Sequence, residues 1–296
     1  MLEFSDVSAG YGENLVLSAV DLSLDPGITV LLGPNGSGKT TLFRVGAGIL
    51  PPRSGSVTFD GRSPHENPMV KSQLKYVPHT PTLYRDLTVT ENMKFWCRLH
   101  GIPSDRRDDR IRELSDQLDF TDLLTTNGGE LSRGQSQRVS LGIGLLAEPD
   151  VLFLDEPSSG LDRKAATKLY DLLTDLTRED RVILYATHDL HEADRLADDI
   201  ALMNEGEIVG YGPKERMKAS VDDDETVELD LVGSDIEPTL SRLGYEATKS
   251  GDYWDVTLPA GTDITDLVMS FAEEGIEVHD IRSDESGLAR VYDGIR

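Results

Sequence analysis

The sequence predicts an α/β chain with a β-rich opening, a core of parallel strands joined by crossover helices, and a small α+β domain at its C-terminal end. Three observations carry this expectation. The apolar run 28–32 passes through a glycine-rich loop into a helical stretch, and two more apolar runs, 151–154 and 182–186, are each followed by a helical stretch. Beyond residue 225 the chain breaks into six short segments ordered strand, helix, strand, strand, helix, strand.

Residues 2–60 read as mostly strand: 2–7, 16–24 with alternating apolar positions, 28–32, and 55–59 after the turn Pro51-Pro52-Arg53-Ser54. From about 86 to 147 the pattern is helical, with Leu118, Leu123 and Leu124, then Val139, Leu141, Ile143, Leu145 and Leu146, as apolar positions. Strand 151–154, helix 164–176, strand 182–186 and helix 190–196 then alternate as crossover units, and 200–203 with 208–210 reads as a closing hairpin. The first domain is expected over 1–218 and an acidic linker over 219–225. In the second domain, 226–296, strands are expected at 226–232, 245–250, 253–258 and 276–282, and helices at 235–243 and 262–274. Ile236, Leu240 and Leu243 share one helical face, as do Ile264, Leu267, Val268 and Phe271. The order βαββαβ is that of a ferredoxin-like fold. It contains no catalytic constellation, which favours a regulatory or oligomerising module.

A chain of 296 residues buries enough core to fold without staples. Its single cysteine, Cys97, excludes an internal disulfide and a cysteine-rich zinc site, fits a reducing cytosol, and reads as a small buried apolar residue. No apolar run approaches the ~20 residues that span a bilayer, and Met1-Leu2-Glu3-Phe4 lacks the basic start of a secretory signal. The charge of −25, from 54 acidic and 29 basic residues, is not a nucleic-acid-binding balance. Acid clusters at 105–109, 198–199 and 222–224 are scattered, as on a solvated surface. Such a surface repels itself in dilute buffer, whereas at molar salt the Debye length shrinks to about 3 Å. The bias toward Asp and away from Lys resembles proteins of salt-accumulating halophilic microbes.

The chemistry begins with Gly33, Pro34, Asn35, Gly36, Ser37, Gly38, Lys39 and Thr40, a complete G-x-x-x-x-G-K-[ST] loop between strand and helix. Its glycines let backbone N–H groups turn inward onto phosphate oxygens, and the following helix, opening through Thr41, adds partial positive charge. Lys39 is expected on the β- and γ-phosphates and Thr40 on Mg²⁺. Asp155 and Glu156 close an apolar strand, Asp155 placed to hold Mg²⁺ and Glu156 to polarise an attacking water as general base. His188 ends the next strand at the same sheet edge, within reach of a γ-phosphate. Tyr11, some twenty residues before the loop, is placed to stack on adenine. Ser132, Gly134 and Gln135 of the pentapeptide Leu131-Ser132-Arg133-Gly134-Gln135 open a helix whose N–H groups form a second anion site.

Together these residues resemble the ATP-binding subunits of ABC transporters over residues 1–218. The matching motifs are the phosphate loop at 33–40, the signature at 131–135, the acidic strand end at 151–156, the segment 158–162 and the histidine at 188. The resemblance implies a P-loop NTPase of ABC type with a helical subdomain at 86–147, binding ATP and Mg²⁺. It further implies a head-to-tail pair, a homodimer or paired ATPase subunits, with each ATP between the phosphate loop of one subunit and the signature of the other. Asp162 then supports the interface. The segment 86–92 and the C-terminal appendage look most like ATPases serving exporters with a separately encoded, polytopic permease, placing the chain in the cytoplasm on the inner membrane face.

Two positions depart from the pattern. Arg133 stands at a signature position that is usually glycine but varies, and the weightier departure is His79, in Tyr76-Val77-Pro78-His79-Thr80-Pro81, which stands where the family carries a glutamine that contacts Mg²⁺ and senses the permease. Histidine is less suited to a hard cation that prefers oxygen, and it titrates near neutral pH, so weaker Mg²⁺ dependence or pH-sensitive activity is expected. Gln73 precedes the strand and is too early to substitute. The competing reading is a soluble ABC-type ATPase of DNA maintenance or translation. Those proteins carry a long coiled-coil insertion or tandem ATPase units, whereas here about 90 residues separate Thr40 from Leu131 and each motif occurs once. A non-hydrolysing regulator is disfavoured by the presence of Glu156.

Overall fold

The N-terminal strands β1 (Leu2–Tyr11) and β2 (Asn14–Leu24) run further toward each other than alternation suggests. Register shifts between Phe4 and Val7, Val7 and Ala9, and Ala9 and Gly10 break the period of two that would reveal a longer strand. The computed structural model describes residues 1–178, 180–219, 225–233, 236–251, 253–258 and 264–283. After β3 (Gly27–Leu32) come α1 (Lys39–Gly46), β4 (Ser54–Phe59), α2 (Pro68–Gln73), β5 (Leu74–Val77), α3 (Val89–Leu99), α4 (Arg107–Gln117) and α5 (Arg133–Leu145). Then follow β6 (Val151–Asp155), α6 (Arg163–Thr177), β7 (Val182–Thr187), α7 (Leu190–Leu196), β8 (Asp199–Asn204), β9 (Glu207–Pro213) and α8 (Lys214–Ala219).

The main sheet has the order β5-β6-β7-β3-β8-β9, parallel except for β9, which returns antiparallel beside β8. Every residue of β6 and β7 is buried, as expected of parallel strands covered on both faces, and this is why both read as unbroken apolar runs. A second sheet, β2-β1-β4, is antiparallel. Leu2, Phe4 and Leu22 share one buried cluster with Leu42 and Phe43 of α1 and with Phe153 and Leu184 of the main sheet, so α1 is held in a core common to both. This packing fixes the loop before α1 relative to the ends of β6 and β7.

Helices α3 and α5 each open with a capping box, Thr88 with Glu91 and Ser132 with Gln135. Cys97 is fully buried in α3 and burial raises its thiol, in line with an unreactive apolar role. Beneath α3, Lys75 of β5 lies 4.9 Å from the Trp96 ring centroid and 2.9 Å from His100 Nε2. Burial lowers the Lys75 ammonium to about 8.

The described residues divide into two compact units, one through Lys214 and one from Glu215. The boundary expected at 218 falls inside α8, and residues 220–224 of the expected linker lie outside the described residues. The second unit holds β10 (Glu225–Val232), α9 (Ile236–Leu243), β11 (Glu246–Ser250), β12 (Tyr253–Leu258), α10 (Ile264–Glu273) and β13 (Glu277–Ser283). Its sheet, β11-β12-β10-β13, is antiparallel throughout, the order of a ferredoxin-like βαββαβ unit. Val227, Leu229, Trp254 and Val256 pack with Leu240, Leu267 and Phe271 of the helices. The alternate positions put like charges directly opposite, Glu228 against Asp255 and Asp230 against Asp280.

Candidate nucleotide site

The loop leaving β3 reaches α1 through Gly36 at φ 87° and Gly38 at φ 112°, left-handed backbone that a side chain disfavours. Gly38 stands at the N-cap of α1 with no side-chain cap, so the first N–H groups of the helix are left to a ligand. Lys39 Nζ folds back to donate to the Gly33 carbonyl at 2.6 Å and the Pro34 carbonyl at 2.9 Å. Burial lowers the Lys39 ammonium, opposed by the charges of Glu156 and Asp155. Ser37 Oγ is buried without a hydrogen-bond partner. The loop borders a cleft of about 470 Å³ whose lining includes Asn35, Lys39, Thr40, Thr41, His79, Asp155 and Glu156. A glycine-turned loop ahead of an uncapped helix, with a lysine cation beside it, fits a phosphate chain.

Asp155, 5% exposed, ends β6. Its Oδ2 accepts from Thr40 Oγ1 at 2.8 Å and from Tyr76 Oη at 3.0 Å. No motif in the sequence gives Tyr76 a role. Its phenol is pushed up by burial first and by Asp155 second. Among the described residues no three His, Cys, Asp or Glu side chains converge on a metal position. Thr40 with Asp155 still offers the hydroxyl and single carboxylate that suit Mg²⁺, which keeps several waters.

Glu156 follows at φ 47°, left-handed backbone for a residue with a side chain, a strain of about 1–3 kcal/mol of the kind found at functional sites. Its N–H donates to the Ala186 carbonyl at 3.0 Å, tying the turn to β7. His188 Nδ1 lies 3.0 Å from Glu156 Oε1, so the two expected catalytic side chains meet. His79 Nδ1 lies 3.2 Å from Glu156 Oε2, at ion-pair distance but out of hydrogen-bond alignment. Arg133 Nη2 donates to His79 Nε2 at 2.8 Å and to Ser159 Oγ at 2.9 Å. With Nε2 taken by Arg133 and Nδ1 turned to Glu156, His79 offers no free lone pair to a cation in this arrangement.

The signature opens α5. Ser132 Oγ accepts from the Gln135 N–H at 3.3 Å, and Gln135 Oε1 accepts from the Ser132 N–H at 2.8 Å. Ser132, Gly134 and Gln135 do not line the phosphate-loop cleft. Tyr11, 43% exposed, is likewise outside that lining, and its hydroxyl accepts from Arg44 Nη1 at 2.9 Å. Sequence reading also missed Glu192, whose carboxylate accepts from Tyr170 at 2.8 Å, Tyr185 at 3.0 Å and Thr187 at 2.7 Å, anchoring α7 to the strand end before His188. Tyrosines inside apolar runs announce no partner in the sequence, so this cage carries no local signal.

A phosphate cradle, a Thr–Asp pair for a hard cation, and a strained glutamate beside a histidine define a nucleoside-triphosphate hydrolase. The ABC transporter family matches residues 17–159. Nod factor export ATP-binding protein I of Cupriavidus metallidurans is 30% identical over 258 residues, 85% of this chain and 84% of its own length. Maltose/maltodextrin import ATP-binding protein MalK of Yersinia pestis bv. Antiqua is 35% identical over 210 residues, 70% of this chain and 57% of its own. The chain spans 29% and 34% of the length of two longer relatives, from Dictyostelium discoideum and Escherichia coli. A solved ATP-binding subunit of an ABC transporter superposes with TM-score 0.69 at 27% identity, covering 74% of this chain and 92% of its own. A dimeric ATP-binding cassette bound to ADP and Pi shares the fold, with TM-score 0.66 at 23% identity over 72% of this chain and 98% of its own. The chain belongs to the ABC transporter family and carries its ATP-hydrolysing cassette.

Among the described residues, no helix is long and apolar enough to cross a membrane.

Proposed function

We propose that the chain works as one half of a head-to-tail ATPase pair that closes on ATP and Mg²⁺ and powers export through a separate, polytopic membrane permease, on whose cytoplasmic face it sits. The observation that carries this reading is that one subunit holds a phosphate-loop cleft and, apart from it, a capped helix start at Ser132 and Gly134 outside that cleft's lining. The N–H groups at this helix start that its capping box does not use suit a partner's nucleotide.

In this reading Gly33, Pro34, Asn35, Gly36, Ser37, Gly38, Lys39, Thr40 and Thr41 hold the phosphates, and Tyr11 stacks on the base. Ser132, Gly134 and Gln135 meet the partner's ATP. Thr40 and Asp155 hold Mg²⁺, which screens phosphate charge when bound. His79 joins them only if Arg133 releases its Nε2. Glu156 takes the proton of the attacking water and His188 steadies the carboxylate. Export, rather than import, is supported by the resemblance of segment 86–92 to exporter ATPases, while the relatives covered over most of their length carry both export and import names. The acidic surface suits work at high salt.

Purification of the chain from its native membranes tests the partner. A multi-spanning membrane protein should accompany it, whereas ribosomal or nucleic-acid partners would favour the soluble ATPase reading. In inside-out vesicles, ATP should drive the permease's substrate into the lumen; ATP-driven loss from the lumen would reverse the direction.

A further inference from the structure

One chain of contacts in the site is unused by the reaction described: Arg133 to His79, and His79 to Glu156. Arg133 is the residue that departs from the signature pattern, and His79 departs at the glutamine position, yet the two meet at 2.8 Å. A guanidinium carries donors and no acceptor. His79 Nε2 must therefore present its lone pair, which places the ring proton on Nδ1, 3.2 Å from Glu156 Oε2. The arginine is itself anchored. It donates to Ser159 Oγ at 2.9 Å, and its Cγ and Cδ lie 3.2 Å from where a Cβ on Gly160 would stand, so its stem packs over that glycine. Glycine at position 133 would supply none of these contacts.

We propose that Arg133 and His79 are positioning residues for the Glu156 carboxylate, with Arg133 acting through the ring of His79. Arg133 fixes the tautomer and tilt of the ring. The Nδ1 edge of the ring then faces Oε2 at 3.2 Å, an electrostatic contact outside hydrogen-bond alignment, while His188 Nδ1 meets Oε1 at 3.0 Å, so both carboxylate oxygens are flanked within one subunit. The first turn of α5 thereby sets the attitude of the base at the end of β6. Arg133 reaches the carboxylate only through His79, whose ring borders the base without bonding to substrate. The inference rests on Glu156 being the base in the reading above.

Two measurements on the full chain test it. In the nucleotide-free protein, ¹⁵N spectra of labelled histidine, with His79 assigned by loss of its signals in His79→Gln, should show the proton on Nδ1. In Arg133→Ala that preference should give way to mixed tautomers. A wild-type His79 carrying its proton on Nε2 overturns the proposal without any variant having to fold. In steady-state ATP hydrolysis, Arg133→Ala should lower kcat about tenfold with KM little changed, the scale of one lost charge-assisted hydrogen bond. The double variant Arg133→Ala/His79→Ala should be no slower than either single variant, because both remove the same support. Multiplying losses would overturn the proposal and assign Arg133 to another target, such as the partner's nucleotide. If Glu156→Gln retains full turnover, the hydrolytic reading fails whatever the tautomer. If it loses turnover while His79 is protonated on Nε2, only the positioning fails.

Discussion

Replacing Gly134 by alanine tests whether the signature helix start works by close approach. A Cβ at 134 would stand 2.4 Å from the Gly160 carbonyl oxygen, about 1 Å inside the 3.4 Å at which ordinary contact begins. The clash is with backbone, and Gly160 is itself held at φ 81°, so the helix start has to retreat. Overpacking of this kind costs about 1–3 kcal/mol, and displacing a catalytic element by about 1 Å lowers turnover on the order of 10²-fold. Phosphate-release kinetics should therefore show kcat down about 100-fold. Equilibrium binding of ATP to the isolated subunit, which depends on the loop around Lys39, should stay within about threefold. Wild-type turnover with an unchanged melting temperature would refute the argument, as would a loss of binding equal to the loss of turnover.

Lys39→Ala should weaken ATP binding roughly 10- to 100-fold in calorimetry, the scale of lost charge-assisted hydrogen bonds; unchanged affinity would remove Lys39 from the phosphate site. Lys75 makes a pH prediction. Its folded value of about 8 lies below the ordinary 10.5, so the unfolded chain binds more protons between these limits and folding stability rises with pH across that window. Urea titrations should show the stability of wild type relative to Lys75→Met increasing from about pH 8 to pH 10.5, and a flat or falling difference would contradict the burial argument. Salt should stabilise the second unit, where Asp230 faces Asp280 and Glu228 faces Asp255, with Arg282 opposite Glu228 on the other strand. Each opposed pair costs about 0.2–1 kcal/mol and is screened at molar salt. Melting followed at Trp254 should shift upward with KCl, and less so in Asp255→Thr; no shift would remove the support for a high-salt protein.

The sequence made legible those parts whose chemistry is local. The loop from Gly33 to Thr40 and the pair Asp155-Glu156 are read directly, because phosphate binding needs contiguous backbone and a strand end places its last carboxylate. The βαββαβ unit was legible because Leu240, Phe271 and their neighbours keep helical spacing and β10 and β12 alternate, whereas β11 and β13 carry little apolar pattern. The full length of β1 was hidden, since its register shifts destroy the period on which a strand is recognised. Contacts assembled from distant segments were hidden too. Tyr76 reaches Asp155 across 79 positions and Arg133 reaches His79 across 54. Each partner alone reads as an ordinary aromatic or surface cation. The left-handed backbone at Glu156 left no trace either, because nothing in a glutamate signals a positive φ.

In the proposed pair Glu156 is the base of a site completed by a second copy. The most direct test is Glu156→Gln mixed with ATP and Mg²⁺, with mass measured by light scattering and turnover by phosphate release. Mass should double on ATP from the 32.5 kDa monomer, with turnover reduced by about 10²–10⁴. A variant that stays monomeric with ATP bound, or that hydrolyses ATP at the wild-type rate, would contradict this assignment.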